Sequence, residues 1–371
     1  MGDNNMSVKN NPRVVWVELL RILACLIVIG RHVFANSAKS DSFSYALIWS
    51  LVSDGVTIFW FISGFFLYGE EFSYKSKLKH LLTGIIIPMV IFNVFSIGLD
   101  HLASGKPLFC TDDIFTELYC LLTFNQPIRC FHLWFLNIYI LLIICSPLIN
   151  AAVSYLDTNR KRENIFLAIT ASLLFINDLT LNSAMNFSFH GAGGLIPAVL
   201  LTICGHIIYR RLPEAKTEYA AAGVIGVVFI NIVRSLMQIT LARSSPDYED
   251  HILFWYALPS VFAAICLTVA VSRIRFSDTG KVSSAIRFLS SLTLYIYLTH
   301  FVIIDILDNT GVTQRIKDIF LNKDYSIFAG YGLYTLTESI AVFILTAALS
   351  LLIKMAAGAV RASIRRCFSH T

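Results

Sequence analysis

The sequence predicts an all-α protein that crosses a membrane many times, with about ten spanning helices and both termini in the cytoplasm. The 371-residue chain is 56% hydrophobic and only 14% charged, whereas soluble domains carry about a quarter charged residues. Apolar stretches of about 20 residues, the length that crosses a hydrocarbon core of about 30 Å, recur along almost the whole chain. Lys and Arg are concentrated in alternate loops between these stretches.

Hydrophobic patterning places ten spans between short polar connections. The predicted spans cover residues 14–34, 47–69, 80–99, 132–153, 164–181, 190–209, 219–241, 252–272, 288–307 and 331–354. The fifth span is short and ends at the polar residues Asn177 and Asp178. The segment from Ile114 to Phe124 is too short to cross a membrane, so we expect it to be interfacial or re-entrant.

The positive-inside rule tests this count, because cytoplasmic loops of membrane proteins accumulate Lys and Arg. If the N-terminus is inside, most basic residues fall in inner segments, including the clusters at 160–162, 210–211 and 361–366. Losing one helix would invert every later loop and destroy this alternation. We therefore expect a cytoplasmic N-terminal segment at 1–13, a membrane domain at 14–354 and a basic cytoplasmic tail at 355–371.

Neither the net charge nor the cysteines indicate a nucleic-acid, zinc or redox site. The formal charge of +5 comes from short basic clusters between apolar segments, so no nucleic-acid partner is expected. The eight cysteines contain no C-x-x-C pair. Those within apolar segments are expected to be small buried hydrophobes: Cys25, Cys145, Cys204 and Cys266. Cys110, Cys120 and Cys130 share one loop, which could include a disulfide if it faces an oxidising compartment.

The first helix carries ionisable side chains where they are costly, and such residues usually face a bundle interior or a wet cavity. Arg21 and His32 are eleven positions apart. That spacing is about three turns plus about 20°, so both lie on one face, about 16 Å apart along the axis. Glu18 is placed to pair with Arg21. Two interpretations remain open: a structural ion pair with an interfacial histidine, or a catalytic histidine with an arginine that binds phosphate or holds the site together.

Four motifs follow one another along the chain. The first is Arg21, ten intervening residues and His32. The second is D-G-V-T-I-F-W-F-I-S-G-F-F-L from Asp54 to Leu67, the third F-H-L-W-F-L at 131–136, and the fourth L-Y-I-Y-L-T-H at 294–300. Together, and in this order, they resemble the acyltransferase family 3 of membrane proteins, whose ten-helix body would cover essentially the whole chain. Arg31 departs from the family pattern, in which an apolar residue more usually precedes the histidine.

The resemblance implies an acyltransferase of the bacterial cytoplasmic membrane that modifies a cell-surface glycan or a lipid-linked glycan precursor. Its donor co-substrate would be acyl-CoA, expected to be acetyl-CoA, with no permanently bound cofactor or metal. His32 is then expected to act as the base, or as a transient acyl carrier, because imidazole suits proton abstraction near neutral pH. Arg21 would pair with a CoA phosphate from the cytoplasmic side, as guanidinium does well.

Other residues of these motifs are expected to bind substrate: Glu18, Asp54, Ser63, His132, Trp134, Tyr297 and His300. Structural roles stay open for several of them. His132 could be interfacial and His300 a packing residue, Ser63 could allow close helix packing, and the aromatic residues could belong to a belt or stack on a sugar. The ionisable groups in or near spans are expected to pair with one another: Asp54, Arg234, Asp305 and Glu338.

A transporter or flippase for a small molecule or glycan precursor is the alternative function. Transporters often show Gly- or Pro-interrupted helices in two corresponding halves. The prolines inside the spans show no such pattern: Pro88, Pro147, Pro197 and Pro259. This favours the enzyme. A non-catalytic membrane subunit of a glycan-synthesis complex is a third hypothesis. Under the leading hypothesis the partners are the lipid bilayer, the acceptor glycan and acyl-CoA.

Overall fold

A computed structural model describes most of the chain. The described residues are 14–35, 42–69, 73–103, 115–116, 118–120, 123, 131–179, 194–244, 256–277, 279–321 and 326–368, and side chains are described at these positions except 99–103, 131, 242, 244 and 356–368. Within them every regular element is a helix. The all-α prediction is therefore confirmed for the described part of the chain.

The helices follow one another with short connections. In chain order they are α1 (Val15–Ala35), α2 (Phe43–Leu51), α3 (Gly55–Leu67), α4 (Tyr74–Leu81), a π-helical turn (Leu82–Ile86), α5 (Ile87–Ala103), a 3₁₀ turn (Phe131–Leu133), α6 (Trp134–Asp157), α7 (Arg160–Leu179), α8 (Leu195–Arg211), a second 3₁₀ turn (Leu212–Glu214), α9 (Tyr219–Ser244), α10 (Leu258–Ser272), α11 (Lys281–Ser290), α12 (Thr293–Asn309), α13 (Val312–Leu321) and α14 (Ile327–Phe368).

Six helical stretches of the described chain are long and apolar enough to cross a membrane, if α2 with α3 and α4 with α5 are each counted as one stretch. The number is seven if the bent pair α11–α12 is also one span. The chain is thus a multi-pass membrane protein. The other predicted spans correspond to α1, α7 and α10. Helices α1 and α7 carry several charged residues, such as Glu18 and Arg21 in α1, and α10 has only 15 residues. Length and composition alone therefore do not confirm ten spans or the orientation of the termini.

Some predicted spans differ from the observed helices. The second is interrupted between α2 and α3, and the ninth is bent by 61° between α11 and α12. The short helix α13 lies in a loop that was predicted without a helix. Helix α14 continues to Phe368, beyond the predicted end at 354, through a stretch rich in the good helix formers Ala and Arg. Residues 252–255 of the eighth predicted span lie outside the described residues.

Helix α1 lies at the centre of the bundle and packs against α3, α10, α11, α12 and α14. Most of its apolar residues are buried, and Leu20 and Ile29 are fully buried. A polar side chain on such a helix faces other helices rather than lipid. The central position of α1 explains how it can carry Glu18, Arg21 and His32 without exposing them to hydrocarbon.

Helices α3 and α8 approach each other closely at two glycines. A Cβ atom on Gly64 would overlap the backbone of Thr202, and one on Gly205 would overlap the backbone of Phe61. The Oγ of Ser63 donates a hydrogen bond to the Phe59 carbonyl of its own helix, at 2.8 Å. Small residues thus allow the two backbones to touch, as predicted for this Ser-Gly pair, although glycine makes the contact.

The cysteines of the described chain are free thiols. Cys25 and Cys204 are buried as predicted, and Cys145 and Cys266 are partly buried. Cys120 is also free. Cys110 and Cys130 lie outside the described residues, so a disulfide between those two stays a prediction.

Candidate active site

Three histidines from different helices meet at one end of the bundle. We call this end, which holds Ala35, Trp49 and His132, the upper end, and the opposite end, which holds Val15, Asp157 and Arg211, the lower end. The ring centroid of His300 lies 5.1 Å from that of His32 and 5.0 Å from that of His132. The sequence motifs had named these residues separately, and the fold brings them into one cluster.

Backbone carbonyls hold two of the three rings. Nδ1 of His300 lies 2.6 Å from the carbonyl oxygen of Tyr297, and Nε2 of His132 lies 3.4 Å from that of Leu298. A carbonyl only accepts hydrogen bonds, so each of these nitrogens carries the proton. The hydroxyl of Tyr297 donates to the carbonyl of His132. Tyr297 therefore connects the 3₁₀ turn before α6 to the first half of α12.

Local structure explains why the rings converge. Tyr297 and His300 are three residues apart on α12, so they lie on one helix face. His132 lies in the 3₁₀ turn that precedes α6, which directs its ring toward α12. Phe301 packs edge-on against His32 at 5.8 Å and stacks on His132 at 5.4 Å. The cluster is thus enclosed by aromatic packing on one side.

The three histidines differ in exposure. His300 is fully buried and His132 is 2% exposed, whereas His32 is half-buried. A substrate approaching the cluster would therefore meet His32 first. This difference favours His32 as the group that contacts substrate and the other two as its support.

Arg21 lies further down α1. Its Nη1 is 2.8 Å from Oε2 of Glu18, so the predicted ion pair is confirmed. Ser290, the last residue of α11, donates a hydrogen bond to the same carboxylate oxygen. The Arg21 side chain is 26% exposed. His32 contacts α12 and Arg21 contacts α11, so both face the bent pair, in agreement with the predicted common face.

Lys354 brings a second cation to the bend. Its Nζ donates to the carbonyl of Ser291 at 2.5 Å and lies 5.3 Å from the ring centroid of Tyr295. In the sequence, Lys354 is the last residue of the tenth predicted span. The neighbouring sequence does not indicate that Lys354 contacts the bend, because its partner Ser291 is 63 residues away in the chain.

Asp54 lies in a buried ion pair. Its Oδ1 accepts hydrogen bonds from Nη1 of Arg234 at 2.7 Å and from Oγ of Ser260 at 2.5 Å. The exposed fraction of Arg234 is zero. These contacts confirm the expected ion pairing of Asp54 and identify its partner, and the substrate-binding role of Asp54 stays a prediction.

The remaining residues that the sequence singled out lie in different surroundings. Trp134 packs edge-on against Phe135 at 6.3 Å. Glu338 of α14 is buried and accepts a hydrogen bond from Thr313 of α13 at 2.8 Å, whereas Asp305 is exposed.

Arg31, the departure from the family pattern, packs on an aromatic ring of α2. Its guanidinium carbon lies 3.3 Å from the ring centroid of Trp49, a cation–π contact. This contact fixes the upper end of α1 against α2, beside His32.

The lower end carries a polar cleft of about 200 Å³ between the ends of α6, α7 and α8. Its cations face carboxylates, as in the pairs Arg211–Glu163 at 2.6 Å and Arg160–Glu214 at 2.8 Å. The hydrogen bond from Arg160 holds the pKa of the Glu214 carboxyl below its usual value. Since the charges balance, the cleft joins helix ends and is not a strong anion site.

Comparison with known families agrees with these motifs. A family model described as an acyltransferase domain matches residues 14–355. No match is found among curated proteins or solved structures. The match covers nearly the whole described membrane domain, including Arg21, His32 and the residues that surround them. The chain therefore belongs to the acyltransferase family 3.

Proposed function

We propose that the protein is a membrane O-acetyltransferase. It transfers an acetyl group from cytoplasmic acetyl-CoA to a hydroxyl of a cell-surface polysaccharide or a lipid-linked glycan precursor. The observation that carries this proposal is the half-buried His32, which is backed by the buried His132 and His300. Family membership establishes an acyltransferase, and the arrangement of these rings suits transfer to an alcohol.

The chemistry requires a base and a site for the leaving thiol. One ring nitrogen of His32 takes the proton of the acceptor hydroxyl as its oxygen attacks the thioester carbonyl. The same proton then passes to the leaving sulfur, so that the products are an O-acetyl ester and CoA with a free thiol. Hydrogen-bond donors in the site stabilise the oxyanion. These two proton transfers need a side chain that can accept and release a proton near neutral pH, and imidazole meets this requirement.

Arg21 is proposed to bind a phosphate of CoA. It lies about 16 Å below His32 by helix geometry, and its side chain is 26% exposed. The planar donor fork of arginine fits phosphate oxygens. The acyl group would then reach His32 along the face of α1 that the bent pair α11–α12 covers.

We also propose that the chain makes ten spans in a bacterial cytoplasmic membrane, with both termini inside. Cysteine labelling of otherwise Cys-free variants tests this arrangement. Single cysteines at Thr158 and Ser277 should react only from the cytoplasmic side, and those at Ser245 and Asn309 only from outside. Ser277 and Asn309 flank α11–α12, so labelling of both from one side would show a re-entrant pair and exclude ten spans.

Surface glycan from cells with and without the protein provides the test of function. Mass spectrometry should show a gain of one acetyl group per modified sugar only when the protein is present. Arg21→Lys should reduce the acetylated fraction and raise the Kd of the purified protein for acetyl-CoA by about 10-fold or more, the effect of losing a charge-assisted hydrogen bond of about 1.5–3 kcal/mol.

Arg160→Ala is the matched control, because Arg160 is an exposed arginine of the lower end. Its glycan should be acetylated normally. Unchanged glycan in all strains would contradict the enzyme and support the transporter alternative. Full acetylation and unchanged affinity in Arg21→Lys would instead limit Arg21 to neutralising Glu18.

A further inference from the structure

We propose that His300 is a positioning residue, whose Nε2 accepts a hydrogen bond from a ring N–H of His32. This bond would leave the other nitrogen of His32 unprotonated and directed to the acceptor hydroxyl. The catalytic role of this hydrogen bond rests on the proposed function. The positions of the two rings, and hence the hydrogen bond itself, do not depend on which substrate binds.

The protonation of His300 follows from one contact. Its Nδ1 lies 2.6 Å from the Tyr297 carbonyl oxygen, so Nδ1 carries the hydrogen. In a neutral ring Nε2 is then a pure acceptor. The i to i−3 spacing on α12 places this contact within a single helical turn, which keeps the ring in one orientation.

The acceptor nitrogen of His300 has no hydrogen-bond partner among the described residues. The His300 side chain is fully buried, and a buried polar atom without a partner is costly. Such atoms in a native structure call for a specific explanation, and one is a catalytic role. The ring centroid of His32 is 5.1 Å away with the planes tilted by 43°, a separation over which two imidazoles can share one hydrogen bond after a small rotation.

His132 is less suited to this role. Its Nε2 is directed to the Leu298 carbonyl, and its ring stacks on Phe301. Its backbone carbonyl accepts the hydroxyl of Tyr297. Through these contacts His132 packs against α12 and fixes its position. The rings of His300 and His32 therefore keep their separation.

The proposed pair follows the logic of an orienting carboxylate beside a catalytic histidine, with a neutral imidazole in place of the carboxylate. When His32 takes the hydroxyl proton, it becomes an imidazolium that still donates its second N–H to His300. When that proton passes to the thiolate sulfur, His32 returns to its starting tautomer. His300 gains and loses no proton in this cycle, and selection of the correct tautomer is its contribution.

The first arm of the test is nuclear magnetic resonance of the full-length protein with ¹⁵N-labelled histidine in lipid nanodiscs. The His32 signals are assigned by their loss in His32→Asn. The wild type should show one tautomer of His32, and His300→Phe should show a mixture of both. Phe301→Leu, which changes packing against His32 without removing the acceptor, is the control and should keep the single tautomer.

The second arm measures acetyl transfer in membrane vesicles supplied with labelled acetyl-CoA on the cytoplasmic face. His300→Phe should lower the rate at saturating donor by roughly 10- to 100-fold, less than the 10²- to 10⁴-fold typical of losing the base itself, with KM for acetyl-CoA unchanged. His300→Gln, whose amide oxygen can accept the His32 hydrogen bond, should recover most of this loss.

An unchanged His32 tautomer in His300→Phe would overturn the inference, whatever the transfer rates. A loss in His300→Phe that His300→Gln does not recover, with a tautomer mixture in Phe301→Leu as well, would also overturn it in favour of packing. If the wild type transfers no acetyl group, the proposed function fails, while the tautomer arm still decides the role of His300.

Discussion

His32→Ala is expected to abolish detectable acetylation of the surface glycan, while the protein still inserts and accumulates at the wild-type level. Removing a general base typically costs 10² to 10⁴ in rate, and His32 is the most accessible ring of the histidine cluster. His32→Gln should be equally inactive, because it keeps a polar group of similar reach but no titratable nitrogen. Mass spectrometry of the glycan and quantitative immunoblotting of the membrane fraction measure the two quantities.

The matched control for this experiment is His80→Ala. His80 is an exposed histidine of α4 and lies outside the cluster, so its loss should leave acetylation unchanged. Wild-type acetylation by His32→Ala at normal protein levels would assign the base to another residue and return His32 to the interfacial interpretation.

Arg234→Met is expected to lower the free energy of unfolding by about 3–5 kcal/mol, the typical cost of leaving a buried charge without its partner. Arg234 is fully buried and donates to Asp54 at 2.7 Å. The double variant Arg234→Met with Asp54→Asn should recover a large part of the loss, because the uncompensated carboxylate is then removed. Unfolding of the purified protein in mixed micelles, followed by circular dichroism, measures the change.

Arg243→Met provides the comparison on the same helix, since Arg243 lies in the last turn of α9 and is exposed. Its stability should match that of the wild type. Equal stability of Arg234→Met and Arg243→Met would show that the Asp54 pair contributes nothing to the bundle. Failure of the double variant to recover stability would assign the loss to packing of the long Arg234 side chain instead.

The face of α1 could be predicted from sequence because helical spacing is a local property. The fold agrees with it, since Glu18 pairs with Arg21 and His32 faces α12. The meeting of His32, His132 and His300 could not be derived in this way. Their motifs indicated the residues individually, but the distances between rings depend on how α1, α6 and α12 pack.

Partners that are distant in the chain could not be predicted from the sequence for the same reason. Arg234 and Asp54 are 180 positions apart, and the sequence around either residue does not indicate that the other is its ion-pair partner. The break between α2 and α3 and the bend between α11 and α12 both lie inside predicted spans. Hydropathy averaged over a window of about 20 residues does not register a polar pair as short as Ser53-Asp54 or Ser290-Ser291. Helix α13 was missed because its amphipathic pattern is short and lies in a polar loop.

The bend at Ser291 has a consequence for the backbone carbonyls at the end of α11, which have no partner within their own helix. Where a helix stops inside a membrane, its last carbonyls lose their partners, and lipid cannot replace them. Lys354 donates to the Ser291 carbonyl, and a cation at a helix C-terminus also favours the negative end of the helix dipole. A side chain of α14 therefore supplies the hydrogen bond that water would otherwise provide, and the chain can change direction at Ser291 with this carbonyl satisfied by the protein itself.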